Sequence, residues 1–341
     1  MGVVNMAQRV GLYTVALQNP VGIDGFAAIV GPKEGEGPLA TAFDQVLQDD
    51  LWGENSWELA ESRMFGEAAR LAASKTHTTI DDVQVLLGGD LLDQLFSASF
   101  AARGLAIPFL GLYGACSTMA ESIAIGALLL DGGGFINALC TASSHFSSAE
   151  RQYRLPLEMG TQRPPTAQRT VTGAGSVLLN ATGNLRITHV TMGRVVDYQV
   201  NDVNNMGAAM APAALDTLVR HFQDTDRSPA HYDAIITGDL AQMGTDILLA
   251  MAKDEGYDLT GRHMDCGNMI YSPDQKVDCG GSGCGCSASV MCGYVLPRMR
   301  EGKLKRVFFM ATGALMSLSS SQQGETIPGI AHGIAIEYLS T

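Results

Sequence analysis

Apolar runs short enough for single buried strands alternate along this chain with longer stretches of helical periodicity, and the alternation repeats. VQVLLGGDLLDQ (Val83 to Gln94) returns as YDAIITGDLAQM (Tyr232 to Met243), each a buried strand ending in Gly-Asp. IPFLGLYGACSTMAESIAIGALLL (Ile107 to Leu130) is echoed by QKVDCGGSGCGCSASVMCGYVL (Gln275 to Leu296), both read as strand, Gly-rich turn and helix. NALCTASS (Asn137 to Ser144) matches VFFMATGA (Val307 to Ala314), and TGAGSVLLN (Thr172 to Asn180) matches GIAHGIAIE (Gly329 to Glu337). The step from Cys116 to Cys286 equals that from Thr141 to Ala311. Four elements kept in order point to duplication of a βαβ-rich unit. The first half is read over residues 1–183 and the second over 184–341, with a seam near Ala181 to Asn184. Strands alternating with helices predict an α/β fold, a mostly parallel sheet covered on both faces in each half. Helices are predicted at Ser56 to Ser74, Thr118 to Leu130, Ala211 to Phe222, Thr245 to Asp254 and Ser287 to Met299. The long polar stretch from His145 to Arg169 breaks the rhythm and reads as an inserted lid.

Composition narrows the class. With 46% hydrophobic residues in 341, the chain can bury a large core. Its 22 basic and 35 acidic residues give a net charge of −13, so it lacks the field for gripping a phosphate backbone, and nucleic acid is excluded as a partner. The apolar run from Ile123 to Leu130 is stopped by Asp131 and three glycines, too short to cross a bilayer. The start shows no basic region followed by an apolar block, so a cytoplasmic protein is expected. Seven cysteines, four of them crowded into Cys279 to Cys292, suit reduced thiols better than a disulfide framework.

Candidate chemistry centres on Cys116, which follows Gly114-Ala115 and opens a helix, where outward-pointing N–H groups lower a thiol pKa. The alternative is a small apolar residue at a crowded turn. His145 follows TASS and could approach Cys116, or could simply cap the lid. His332 reads as structural. Asp90 and Asp239 occupy matching strand ends, where loops converge on a shared cleft in parallel α/β sheets, or serve as turn and cap residues. Cys279, Cys284, Cys286 and Cys292 contain no C-x₂-C pair, so no metal site and no cofactor are expected. Gly280-Gly281-Ser282-Gly283 lacks the Lys and Ser/Thr of a P-loop. The lid carries Arg151, Arg154, Arg163 and Arg169, the forks a carboxylate ligand would want.

GACSTMAES, the duplicated halves and the GGSGCGCSA loop resemble the thiolase and ketoacyl-synthase superfamily. VGPKEGEGPL (Val30 to Leu39), TASSHFSSAERQYR (Thr141 to Arg154), DCGNMIYSPDQ (Asp265 to Gln275) and IPGIAHGIAIE (Ile327 to Glu337) are similar to a family of sporulation proteins within it, nearly end to end. The resemblance implies a five-layer αβαβα fold with Cys116 at the nucleophile position and Cys284 and Cys286 in the loop opposite. It departs from the enzymes in two places. A ketoacyl synthase has a histidine where this chain has Gly238-Asp239, and an asparagine roughly at Cys284. Without imidazole and oxyanion donors, Claisen chemistry loses its largest contributions. The family implies binding of dipicolinic acid (pyridine-2,6-dicarboxylate), with calcium as part of the ligand chelate, for passage across the spore inner membrane. Asp90, Cys116, His145, Arg151, Arg154, Asp239, Cys284 and Cys286 are the residues expected around it. Asp90 or Asp239 could meet the calcium. Stage V sporulation membrane proteins are the implied partners, peripheral association with that membrane in the forespore is the implied location, and a homodimer would pair through Asn137 to Ser143. The rival is a degenerate acyltransferase using Cys116.

Overall fold

The computed structural model describes residues 8–153 and 163–339. Five strands build the first half: β1 (Thr14–Val30), β2 (Leu86–Gly89), β3 (Phe109–Gly111), β4 (Asn137–Ser144) and β5 (Gly173–Asn180). Five more build the second: β6 (Leu185–Thr191), β7 (Ala234–Thr237), β8 (His263–Asp265), β9 (Arg306–Ala314) and β10 (Gly329–Tyr338). The strands form one continuous hydrogen-bonded sheet whose first half runs β3-β2-β4-β5-β1 and whose second half, joined to it through β1, runs β8-β7-β9-β10-β6. The senses match as well. β2 lies parallel to β3 and β4, as β7 does to β8 and β9. β5 is antiparallel to β4 and β1, as β10 is to β9 and β6. The fold is therefore two copies of one unit, with β5 ending at Asn180 and β6 starting at Leu185.

One strand serves both copies. β1 pairs with β5 through Gly22 to Val30 and with β6 through Thr14 to Ala16 and Val21 to Ile23. Its pairing with β6 shifts between Ala16 and Val21, where Pro20 could not donate to a regular ladder.

The helices make the remaining layers. α1 (Trp57–Ser74) and α2 (Phe96–Leu105) cover the outside of the first half, and α5 (Met206–Thr225) and α6 (Ala241–Asp254) cover the second. Between the halves lie α3 (Thr118–Asp131), which touches strands of both, and α7 (Cys284–Val290). Their sequences suit that place. TMAESIAIGALLLD is apolar almost all round, and every residue of CGCSASV is buried. Gly175 on β5 lets α7 press onto the sheet, since a Cβ there would lie 2.2 Å from the Ala288 carbonyl oxygen.

Several boundaries differ from expectation. α5 begins at Met206 rather than Ala211, because Asn205 caps it by accepting from the Ala208 N–H at 3.3 Å, and Pro212 is carried inside. α6 begins at Ala241 rather than Thr245, with Gly244 packed on Gly207 of α5. The single helix expected from Ser287 to Met299 is instead α7, a π-helical turn (Met291–Val295) and a short helix (Leu296–Arg300), Pro297 having no N–H for a regular turn. The strand expected from Gln275 onward does not form: a 3₁₀ turn (Pro273–Gln275) ends there, irregular backbone runs to Gly280, and the counterpart of β3 lies upstream as β8. Asn137 to Ser143, the expected dimer strand, is hydrogen-bonded on both sides by β2 and β5 and has no edge left to offer.

Candidate functional site

Loops at the carboxyl ends of β2, β3 and β7 converge, as parallel α/β topology dictates. Cys116 sits in a 3₁₀ turn (Ala115–Ser117) that leads into α3 at Thr118, with Ala115 held at φ +50. The thiol is half-buried. It faces the Asp239 carboxylate and the backbone N–H of Gly283, which reaches in because Gly283 adopts φ +98. Asp239 follows β7 and is fully buried. Its Oδ1 accepts from the Thr312 hydroxyl at 2.7 Å and its Oδ2 from the Gly283 N–H at 3.1 Å. Burial pushes its pKa up to about 7.

The helix N-terminus was expected to depress the Cys116 pKa; instead it stands well above the ordinary thiol value. Burial is the main cause, followed by the charges of Asp239 and Cys284, and together these outweigh the Gly283 N–H.

A cavity of about 130 Å³ opens at Cys116. Tyr113, Tyr153, Met206, Met210 and Met316 give it an apolar wall, and Gln168, Thr170, Asn204 and Ser282 supply polar groups. Tyr113 and Tyr153 share a hydrogen bond at 3.0 Å, and the Tyr153 hydroxyl donates to the Leu91 carbonyl at 2.6 Å. Among the described residues the lid contributes α4 (Phe146–Tyr153), with Ala149, Glu150 and Tyr153 on the cavity, and the extended pair Arg169–Thr170, which joins Gly281–Ser282. Glu150 is ion-paired with Arg163 at 2.7 Å.

Of the expected residues, Cys116 lines this cavity and the other described ones stand behind or beside it. Asp90 is fully buried and braces its own turn, accepting from the Leu92 and Ala98 N–H groups, each at 2.7 Å. Its neighbour Glu61 accepts from the Ser143 and Ser148 hydroxyls at 3.1 and 2.9 Å. Burial raises both acids, Asp90 to about 6 and Glu61 to about 8, with Asp90 adding to the rise at Glu61. His145 caps the lid rather than meeting Cys116. Its Nε2 bonds the Asp50 carbonyl at 2.8 Å and its Nδ1 accepts from the Ser147 N–H at 3.1 Å. His332 accepts at Nδ1 from the Gly193 N–H at 3.2 Å. Cys284 donates to the Ser143 carbonyl at 2.8 Å and Cys286 to the Gly238 carbonyl at 3.5 Å, two buried thiols that fasten α7 to strand ends. Arg151 pairs with Glu58 and lies over the Trp57 ring, beside a separate surface depression. Arg154 lies outside the described residues. Among the described residues no group of three or more His, Cys, Asp or Glu could hold a metal ion. No helix among them is long and apolar enough to cross a membrane.

Gln168, Tyr113 and the methionines escaped the sequence reading. Tyr113 stands three residues before Cys116 in LYGAC, a usable signal, whereas Gln168 was masked by the arginines around it.

Solved structures of ketoacyl synthases share this architecture. OleA from Xanthomonas campestris aligns with a TM-score of 0.60 at 17% identity, over 95% of this chain and 99% of that one. The 3-oxoacyl-[acyl-carrier-protein] synthase III of Aquifex aeolicus aligns with a TM-score of 0.57 at 13% identity, over 93% and 100%. The fold is thus that of the thiolase-like class. Within that class the family description Stage V sporulation protein AD matches residues 11–337. The chain is also 46% identical to the Stage V sporulation protein AD of Bacillus subtilis (strain 168) over 328 residues, 96% of this chain and 97% of that protein. The chain belongs to the Stage V sporulation protein AD family.

Proposed function

We propose that the cavity at Cys116 binds dipicolinic acid, alone or as its calcium chelate, and that the protein serves the passage of this ligand into or out of spores without turning it over. The ligand is the one that the resemblance to the sporulation family suggests, and the pairing of Cys116 with Asp239 supports the non-catalytic part. A thiol held protonated beside an acid has neither the charge of a nucleophile nor an imidazole to shuttle protons. The cavity, about 130 Å³, is of the order of the roughly 150 Å³ that holds a benzene ring, so the ring can enter while the two carboxylates extend towards its open mouth. The turn before α3 offers a positive helix end to an anion, and calcium enters as part of the cargo. In this reading the protein is cytoplasmic in the forespore and peripherally associated with the inner membrane, beside the stage V sporulation A membrane proteins.

Calorimetry with pyridine-2,6-dicarboxylate, with and without calcium, tests the binding. Saturable one-site heat is expected. Intact-mass analysis after incubation with acyl-CoA tests the rival, because an acyl adduct on Cys116 would make this an acyltransferase.

A further inference from the structure

Gln168 is 6% exposed and lines the cavity beside Cys116. Its Nε2 donates to the main-chain carbonyl of Asp239 at 2.6 Å. A carbonyl cannot donate in return, so this bond fixes which end of the amide is nitrogen and which is oxygen. The other end, Oε1, is buried and has no hydrogen-bond partner among the described residues. The main chain around it is pinned. The Cys279 N–H donates to the Ala167 carbonyl at 2.9 Å, the Arg169 N–H to the Gly280 carbonyl at 2.8 Å, and Arg163 Nη1 to the Gln168 carbonyl at 2.9 Å. The Nε2 bond and the held main chain keep the acceptor where it is, and buried acceptors are rarely left unmade. Gln168 itself is one of the residues that line the cavity, the side from which a bound molecule would approach.

We propose that Gln168 is a ligand-contacting residue whose Oε1 accepts a hydrogen bond from the molecule held at Cys116, so that this molecule is bound in a form that carries an O–H or N–H donor. The inference rests on the cavity being a dicarboxylate site. Pyridine-2,6-dicarboxylate as a dianion has no donor. A proton on one carboxyl group supplies one, and so does water held by a chelated divalent cation. The described ionisable groups around the amide include Asp239, Cys116, Tyr113, Tyr153, the adjoining Arg169 and the Glu150 and Arg163 pair, so a pH series on the dicarboxylate alone would not isolate Gln168.

The test uses calorimetry on the full chain with three probes. These are the dicarboxylate without calcium from pH 5.5 to 8, the dicarboxylate with calcium at pH 8, and 6-carbamoylpyridine-2-carboxylate, whose amide carries a donor at every pH. The wild-type protein is expected to bind the carbamoyl compound more tightly at pH 8 than the calcium-free dianion. A gain in dicarboxylate affinity on acidification identifies the carboxyl proton as the donor, and a gain on adding calcium at pH 8 identifies the coordinated water. Gln168→Leu is expected to weaken the carbamoyl compound by about tenfold, near the upper end of what one hydrogen bond contributes. Equal wild-type affinities for the calcium-free dianion and the carbamoyl compound overturn this proposal and leave the dicarboxylate site standing. So does an unchanged affinity for the carbamoyl compound in folded Gln168→Leu. Failure of the wild-type protein to bind any of the three probes overturns both.

Discussion

At Cys116, position and environment pull in opposite directions. The turn before α3 offers the sulfur a helix N-terminus, yet burial and the Asp239 carboxylate keep the thiol protonated. Labelling by iodoacetamide at pH 8, followed by mass spectrometry, should therefore be slower at Cys116 than at free cysteine. Labelling as fast as free cysteine would show an activated thiolate. Cys116→Ala should fold normally and weaken ligand binding by roughly three- to tenfold, the loss of one modest contact. Arg151 behaves oppositely. Its pair with Glu58 lies on the surface, with the Arg151 side chain 45% exposed, so Arg151→Ala should cost at most about 1 kcal/mol of stability by thermal melt. Ligand affinity should be unchanged, and a drop in affinity would return Arg151 to the site. Legibility at this scale divides by residue. GACST marked Cys116 because a strand, a tight turn and a helix meet there. Gln168 carries no such mark, since its role depends on a carbonyl contributed from far along the chain at Asp239.

At the scale of elements, buried ionisable groups tie the layers together. Glu61 on α1 holds hydroxyls of β4 and α4 and lies against Asp90 at the head of α2. Both acids have folded pKa values raised above their unfolded ones. Their contribution is complete below about pH 4 and is lost as pH rises towards 6 for Asp90 and 8 for Glu61. Thermal melts of Glu61→Gln against wild type should therefore shift in the variant's favour between pH 5 and pH 8. A constant gap would show that Glu61 is ionised in the native state. The histidines act with the other sign. Burial lowers His189, His263 and His332 to about 4, and lowers His221 well below its ordinary value. Between pH 6.5 and 4 the unfolded chain binds the extra protons, so this contribution is present above 6.5 and is lost as pH falls through that window. The elements themselves were easier to read than their ends. GGD and TGD closed two buried strands by composition alone, whereas the start of α6 was hidden by a glycine that is there for helix packing against Gly207.

At the scale of the whole molecule, repeated order made the duplication legible, because a strand sequence survives at every copy of its element. How the copies join was not legible. Nothing in the pattern of Thr14 to Val30 says that one strand is shared, since its two partners are β5 and β6, each more than a hundred residues away. Sharing β1 and clamping α3 between them should make the halves unfold together. Differential scanning calorimetry is expected to give one transition with equal calorimetric and van't Hoff enthalpies. Two resolved transitions would contradict it.

The shared strand also settles what a cut at 181–184 would do. A fragment beginning at β6 would keep its own five strands but present the flank of β6 that β1 normally covers as a bare, sticky border, inviting self-association. The halves look like two interchangeable modules on paper, yet the second has lent its border to the first. Expressed apart, they should recover function only when refolded in each other's presence, as a noncovalent pair rather than as two independent proteins.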